Sequence, residues 1–108
     1  MSYLDELAED LHEVSRANGF YDGELTYDKI FAKVAFLSEE VGELIHAIKK
    51  DKGAQEVSDE LADLIIRALD LHECLHRADL ATDSIHEALL AKHEKNKSRG
   101  HLHGNVAG

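Results

Sequence analysis

Apolar residues recur every three or four positions along most of this chain, which is the spacing of one face of an α-helix. Proline, the residue that most strongly breaks a helix, is absent from the sequence. Few segments show the strict alternation that predicts a β-strand. The sequence therefore predicts an all-α helical bundle, and its 108 residues are enough for one modest core, so that 1–108 is expected to be a single domain.

Four helices are expected from this spacing and from the capping residues that flank it. The first two are expected at 3–17 and from 27 to 49 or 50. The third is expected to start between 54 and 58 and to end near 76, and the fourth to run from 82–84 to about 96, with Ser2, Thr26 and Ser84 as N-terminal caps. The remaining residues, 97–108, show no periodicity and are expected to form an irregular tail.

Two of these helices carry long apolar stripes, which mark the face along which a helix packs. The second helix repeats Ile30, Val34, Leu37, Val41, Leu44 and Ile48, and the third repeats Val57, Leu61, Leu64, Ala68, Leu71 and Leu75. A polar break at residues 51–53 separates them and predicts a short turn. The two helices are therefore expected to fold back as an antiparallel hairpin and to pack along these stripes.

Acidic residues flank both stripes. Glu40 and Glu43 each lie one residue before a stripe position of the second helix, and Glu60 and Asp63 do the same on the third. Because residues three apart share a helix face, both pairs border the seam of the hairpin and converge there. Carboxylates this close repel one another unless a cation lies among them, and ligands that are all oxygen suit Mg²⁺, for which Mn²⁺ can substitute. The sequence predicts a divalent metal site at these four residues.

The third helix is apolar around most of its circumference between residues 61 and 69. Such a helix is buried on several sides, and a chain of 108 residues has too few other helices to bury it. A homo-oligomer is therefore expected, a tetramer in preference to a dimer, with Ile65, Ile66 and Leu69 at the subunit contact.

Composition argues against several classes of function. The chain has 22 acidic and 12 basic residues and a formal net charge of −10, so a nucleic-acid partner, which needs clustered Lys and Arg, is not expected. A membrane is not expected either, because no apolar run approaches spanning length and the acidic N-terminus is unlike a signal peptide. The single cysteine, Cys74, fits a reducing cytoplasm, either bacterial or that of a phage host.

The acidic elements resemble those of the all-α nucleoside triphosphate pyrophosphohydrolases, the MazG-like group related to phosphoribosyl-ATP pyrophosphohydrolase and dimeric dUTPase. Residues 38–44, SEEVGEL, look like the EExxE element of that group, and residues 59–63, DELAD, look like its ExxD element. A third element is similar to the KxxxNxxRxxxHG tail of its small members and comprises Lys92, Asn96, Arg99 and His103-Gly104. Together the elements extend over about the last two-thirds of the chain.

This resemblance implies roles for individual residues. It implies that Glu40, Glu43, Glu60 and Asp63 ligate Mg²⁺, and that Glu39 is the catalytic base that activates water or helps to hold a second metal. The substrate-binding residues that it implies for the phosphate chain are Lys92, Asn96, Arg99 and His103. The implied reaction converts a (deoxy)nucleoside triphosphate and water to the monophosphate and pyrophosphate, and dGTP is the first substrate to test.

Two other functions stay open at this point. The same metal core could act on phosphoribosyl-ATP or on dUTP alone. A catalytically silent acidic bundle that binds a protein partner would have a similar composition. Tight binding of Mg²⁺ or Mn²⁺ distinguishes a hydrolase from the silent bundle.

Two further motifs have the spacing of metal ligands, and neither is favoured. Residues 72–76 read HECLH, the zinc-protease helix pattern, but no third zinc ligand follows at the required spacing. Glu43 with His46, and Glu73 with His76, have the spacing of a di-iron bundle. His46, however, lies two residues off the stripe of its helix.

The sequence does not identify a base-binding pocket. Candidates to stack on or hydrogen-bond a nucleobase are Phe20, Tyr21, Tyr27, Phe31, Phe36 and Asn18. Arg67 is expected to neutralise Asp63 or Asp70, and His12 is expected to lie at the surface.

Overall fold

The structure is a computed structural model that describes residues 2–19 and 25–107, with side chains described as far as residue 99. It contains four helices, α1 (Tyr3–Ala17), α2 (Tyr27–Lys49), α3 (Ala54–Arg77) and α4 (Ile85–Ala107). The prediction of an all-α fold is confirmed. Within the described ranges, none of these helices is both long enough and apolar enough to cross a membrane.

The first two helices begin where their capping residues predict. The hydroxyl of Ser2 accepts a hydrogen bond from the backbone N–H of Asp5 at 3.1 Å, and the hydroxyl of Thr26 accepts one from Lys29 at 3.2 Å. Each bond satisfies one of the amide groups that a helix leaves unpaired at its N-terminus. Short polar side chains therefore fix both starting points.

The turn between α2 and α3 occupies only a few residues. Asp51 and Gly53 adopt positive φ angles of 51° and 99°, a region that glycine and short polar residues tolerate best. The backbone N–H of Lys52 donates to the carbonyl of Ala47 at 3.1 Å, which closes the end of α2. This tight connection brings the acidic segments of the two helices together.

Helix α4 is longer than the sequence predicts, because it continues to Ala107 where an irregular tail was expected over 97–108. The residues added between 97 and 99, Lys, Ser and Arg, are compatible with a helix, and no proline stops it. Glycine in a helix interior costs only about 1 kcal/mol relative to alanine. Gly100 and Gly104 therefore weaken this helix without ending it.

Helix α3 is the centre of the packing. It contacts α2 and α1 most extensively, whereas α4 packs against α1 and α3. Arg77 of α3 ties α1 to this arrangement through an ion pair with Glu13 at 2.9 Å. The carboxylate of Asp5 accepts from the backbone N–H of His86 at 3.0 Å and so anchors the start of α4 on α1.

The face of α2 that packs within the chain is rotated from the predicted stripe. The least exposed positions form a repeat at steps of three and four, consisting of Ile30, Lys33, Leu37, Glu40, Leu44 and Ala47. Val34, Val41 and Ile48, which were expected in the seam, are exposed instead. The seam therefore contains charged residues where an apolar row was predicted.

Helix α3 shows the same rotation. Its less exposed positions include Val57, Glu60, Leu64, Arg67, Leu71 and Cys74 together with Leu69 and Leu75, whereas Leu61 and Ala68 are exposed. The expectation for Leu61 and Ala68 was wrong because this helix has apolar residues on two adjacent faces. Periodicity alone does not say which of two such faces packs inside the chain.

Candidate metal centre

Three of the four predicted ligands lie together where α2 meets α3. One carboxylate oxygen each from Glu40, Glu60 and Asp63 can be chosen so that all three lie within 4.8 Å of one another. Glu40 comes from α2, and the other two lie three residues apart on one face of α3. The arrangement concentrates negative charge at one point of the seam.

Arg67 fixes one side of this cluster. Its Nε donates to Glu40 Oε1 at 2.7 Å, and its guanidinium lies 5.5 Å from the centre of the Phe36 ring. Arg67 was expected to neutralise Asp63 or Asp70, so its contact with Glu40 differs from that expectation. Because Arg67 is four residues beyond Asp63 on α3, both side chains reach the same part of α2.

The second oxygens of two clustered carboxylates have no donor. Glu40 is only 7% exposed, and within the described residues neither its Oε2 nor the buried Oε2 of Glu60 has a hydrogen-bond partner. Burying a carboxylate oxygen without a donor or a cation is costly. A hard divalent cation held by Glu40, Glu60 and Asp63 would satisfy both atoms, so the donor set fits such an ion.

The pKa of Glu60 is raised. Burial is the main cause, followed by the negative charge of Glu43, a hydrogen bond with Glu43, and the charges of Glu56 and Asp63. All of these neighbours disfavour the ionised carboxylate. Burial and the neighbouring carboxylates therefore make ionisation of Glu60 less favourable.

Glu43 and Glu39 lie on the other side of Glu60. Glu43 is not among the three grouped carboxylates but interacts with Glu60 directly. A cavity of about 550 Å³ opens there, lined by Glu39, Gly42, Glu43, His46, Lys52, Glu56 and Glu60. Glu60 thus belongs both to the metal cluster and to the wall of this open cavity.

The predicted phosphate-binding residues lie apart from the cavity within one chain. Lys92, Asn96 and Arg99 are exposed on α4, and α4 has no packing contact with α2 among the described residues. The two cavities beside the acids are lined by α1, α2, α3 and the turn after α2. The side chain of His103 lies outside the described residues.

The alternative metal motifs do not form a cluster. Over residues 2–19 and 25–99, the group with suitable geometry contains only carboxylates. The rings of His72 and His76 stack 6.3 Å apart, and His76 Nδ1 lies 3.2 Å from the carbonyl oxygen of Ala81. Glu73 pairs with Arg77 at 2.8 Å. His76 and Glu73 would each have to release these partners before binding zinc or iron.

Two features of the site were not expected from the sequence. Glu56 lines the open cavity, and its position four residues before Glu60 on one helix face is the signal that could have identified it. His12 is only 5% exposed, so its assignment to the surface was wrong. It lies four residues beyond buried Ala8, which places both on the inner face of α1.

The sequence matches the model of a known protein family. Residues 30–101, two-thirds of the sequence, match the sequence model of the MazG nucleotide pyrophosphohydrolase domain. The match contains every acidic residue of the metal cluster and of the open cavity beside it, and the chain belongs to this family. Membership supports a nucleotide pyrophosphohydrolase activity in general and agrees with an acidic site for a metal. No curated protein and no solved structure matches the sequence.

Proposed function

We propose that the protein is a Mg²⁺-dependent pyrophosphohydrolase that converts a (deoxy)nucleoside triphosphate and water to the nucleoside monophosphate and pyrophosphate in the cytoplasm. The observation that carries the proposal is the cluster of Glu40, Glu60 and Asp63, in which two buried carboxylate oxygens lack a donor. Arg67 offsets part of the repulsion among these carboxylates by pairing with Glu40, and a divalent cation would offset the rest. The chemistry of the cluster suits a nucleotide, whose phosphates bind through divalent cations.

Glu40, Glu60 and Asp63 would hold Mg²⁺, and Glu43 would complete the ligand set from beside Glu60. When bound, Mg²⁺ supplies charge neutralisation for the phosphate oxygens. Arg67 keeps Glu40 Oε1 occupied at 2.7 Å, and so leaves Oε2 as the atom for the metal. A residue that orients a metal ligand in this way typically contributes 10- to 100-fold to affinity or activity, as an order of magnitude.

Glu39 is proposed as the general base. It is exposed and lines the open cavity next to Glu43 and Glu60, where a water molecule can reach it. Its carboxylate takes the proton of the water whose oxygen bonds to one of the two phosphorus atoms of the α–β linkage, while the bridging P–O bond breaks and the monophosphate and pyrophosphate separate. A base in this position contributes roughly 10²- to 10⁴-fold to a rate.

Lys92, Asn96, Arg99 and His103 are proposed to hold the phosphate chain. Arginine offers a planar fork for phosphate oxygens, and lysine supplies a point charge. Because α4 does not pack against α2 within one chain, these residues are assigned this role in the assembled protein. Their positive charge would offset the repulsion between a triphosphate and the acidic surface.

The antiparallel α2–α3 hairpin is proposed to be completed by other copies of the chain, in a tetramer in preference to a dimer. Ile45 of α2 and Ile65 of α3 are 47% and 52% exposed, and their neighbours Val41, Ile48, Leu61 and Ile66 are exposed as well. Rows of exposed large apolar side chains mark interaction surfaces. Leu69, expected at the contact, is buried within the chain, so the proposal retains Ile65 and Ile66.

A substrate panel tests the function. The purified protein is incubated with Mg²⁺ and each of dATP, dCTP, dGTP, dTTP, dUTP and phosphoribosyl-ATP, and the products are separated. We expect monophosphate and pyrophosphate from at least one deoxynucleotide, with no turnover in EDTA and recovery on adding Mn²⁺. Orthophosphate with a nucleoside diphosphate, or no turnover of any substrate, would contradict the proposal. Turnover of phosphoribosyl-ATP or dUTP alone would favour the corresponding alternative.

The assembly has its own test. Ile65→Glu places a charge in the exposed apolar row, and we expect the mass measured by light scattering to fall to that of a smaller assembly or a single chain. Val14→Glu, which changes an exposed apolar residue of α1, is the matched control and should keep the wild-type mass. If Ile65→Glu also keeps that mass, this row is not the subunit contact.

A further inference from the structure

A second cavity adjoins the metal cluster and is not explained by the chemistry of the phosphates. It has a volume of about 190 Å³ and is lined by Leu11, Ser15, Lys33, Phe36, Asp63, Ile66, Arg67, Asp70 and Leu71. Asp63 belongs to both the metal cluster and this cavity. Ligand pockets for whole drug-sized molecules have roughly 300–1,000 Å³, so this cavity has room for one ring system beside phosphates held at the cluster.

One wall of the cavity suits a flat aromatic ring. Phe36 lines it, and the guanidinium of Arg67 lies over the Phe36 ring at 5.5 Å from its centre. Aromatic rings and guanidinium planes are the surfaces on which nucleobases stack. The charges of Lys33 and Arg67 balance those of Asp63 and Asp70, so the cavity does not repel a neutral ring.

A second feature of the cavity is the carboxylate of Asp70, which is held in one orientation. Asp70 Oδ1 lies 3.1 Å from His12 Nδ1, and Oδ2 accepts a hydrogen bond from the Ser15 hydroxyl at 3.0 Å. An ionised carboxylate only accepts hydrogen bonds, and it offers about four acceptor positions. Asp70 is therefore held in place by α1 and acts towards any ligand as a hydrogen-bond acceptor. Two residues of α1, which lies outside the family match, set this orientation.

We propose that this cavity receives the nucleobase of the substrate and that Asp70 selects cytosine and adenine, whose exocyclic amino groups occupy corresponding positions. Cytosine N4 and adenine N6 are amino donors, whereas thymine and uracil present O4, and guanine presents O6, at the corresponding position. A carbonyl oxygen facing the fixed carboxylate would leave two acceptors opposed without a proton between them. This inference rests on the proposed nucleotide substrate and specifies its class.

Equilibrium binding of the product nucleotides tests the role of this cavity in base selection independently of turnover. We expect calorimetry with Mg²⁺ to show that dAMP and dCMP bind about 10- to 100-fold more tightly than dGMP, dTMP and dUMP, the value of one good base contact. Asp70→Asn, which supplies a donor as well as an acceptor, should reduce this ratio at least several-fold. Asp10→Asn, the same charge change at an exposed position of α1, should leave it as in the wild type.

Two further variants separate base selection by Asp70 from a general loss of nucleotide binding. Phe36→Leu should weaken binding of all five nucleotides in parallel and preserve their ranking, because stacking is tolerant of base identity. Ser15→Ala keeps the carboxylate and should lower the ratio less than Asp70→Asn does. Equal wild-type affinities for dCMP and dUMP, or an unchanged ratio in a folded Asp70→Asn protein, would overturn the inference. The expected ranking together with no pyrophosphate release would instead overturn the proposed hydrolysis.

Discussion

Replacing Glu39 with glutamine is expected to lower kcat by about 10²- to 10⁴-fold, the usual contribution of a general base. The amide has the shape of the carboxylate but cannot take a proton from water. Because Glu39 is exposed and stands outside the three grouped carboxylates, the variant should fold normally and still bind a divalent cation. Product release measured with saturating Mg²⁺, together with calorimetry for the metal, checks both parts.

Glu6→Gln supplies the control for this experiment. It removes the same charge from an exposed position on α1 and should leave turnover at the wild-type rate. Wild-type turnover in Glu39→Gln would remove this residue from the mechanism. Loss of metal binding in the same variant would show instead that Glu39 is a ligand.

Glu60→Gln is expected to have the largest effect on the metal, because Glu60 belongs both to the cluster and to the wall of the larger cavity. We expect Mg²⁺ and Mn²⁺ affinity to fall by at least about 100-fold, more than is usual for residues that only orient a ligand. In EDTA the same variant should unfold at a higher temperature than the wild type, because the substitution removes a charge that its neighbours repel. Calorimetry and thermal unfolding measure the two effects.

The pH dependence of this stability difference follows from the raised pKa of Glu60. A carboxyl group whose pKa is higher in the folded chain than in the unfolded chain destabilises the fold when it is ionised. That cost is fully present above the folded pKa and disappears as the pH falls through it. The difference in unfolding temperature between Glu60→Gln and the wild type in EDTA should therefore be greatest near neutral pH and should become smaller as the pH is lowered.

The wild type alone would not show this effect, because other carboxylates act in the opposite direction. Hydrogen bonds lower the pKa of Asp5, which accepts from the backbone of His86, and of Glu13, which pairs with Arg77. Both stabilise the fold above their unfolded pKa, and the stabilisation is lost as the pH falls through their folded pKa. Asp59→Asn, next to Glu60 but exposed and bonded to Gln55, is the matched control. An Asp59→Asn protein that gained equal stability would contradict the assignment to Glu60.

The starts of α1 and α2 and the turn between α2 and α3 were predictable because they depend on local chemistry. Caps at Ser2 and Thr26, and the polar break at residues 51–53, act within a few residues of where they stand. The convergence of Glu40, Glu60 and Asp63 was also predictable, since helical spacing and a short turn suffice to bring them to one seam. Neither inference required knowledge of distant packing.

The inner face of each helix could not be predicted in this way. Apolar residues occupy two adjacent faces of α2 and α3, and the stripe chosen from the sequence included Val41 and Leu61, which the chain leaves exposed. The choice depends on how α1 packs against α3, which links residues far apart in sequence. The contact of His12 with Asp70 depends on the same packing and spans 58 positions, whereas that of Arg67 with Glu40 depends on the packing of α2 against α3 and spans 27.

The small core has a consequence for how the protein matures. In the described part of the chain, the buried apolar residues are Ala8, Ile30, Ala47, Leu69 and Cys74, none of which is aromatic. In the proposed assembly, the remaining apolar surface is covered only when chains meet, so folding and association form one equilibrium that depends on concentration. A newly made chain would then gain its full stability only after it had encountered its copies, and dilution would weaken the protein as heating does.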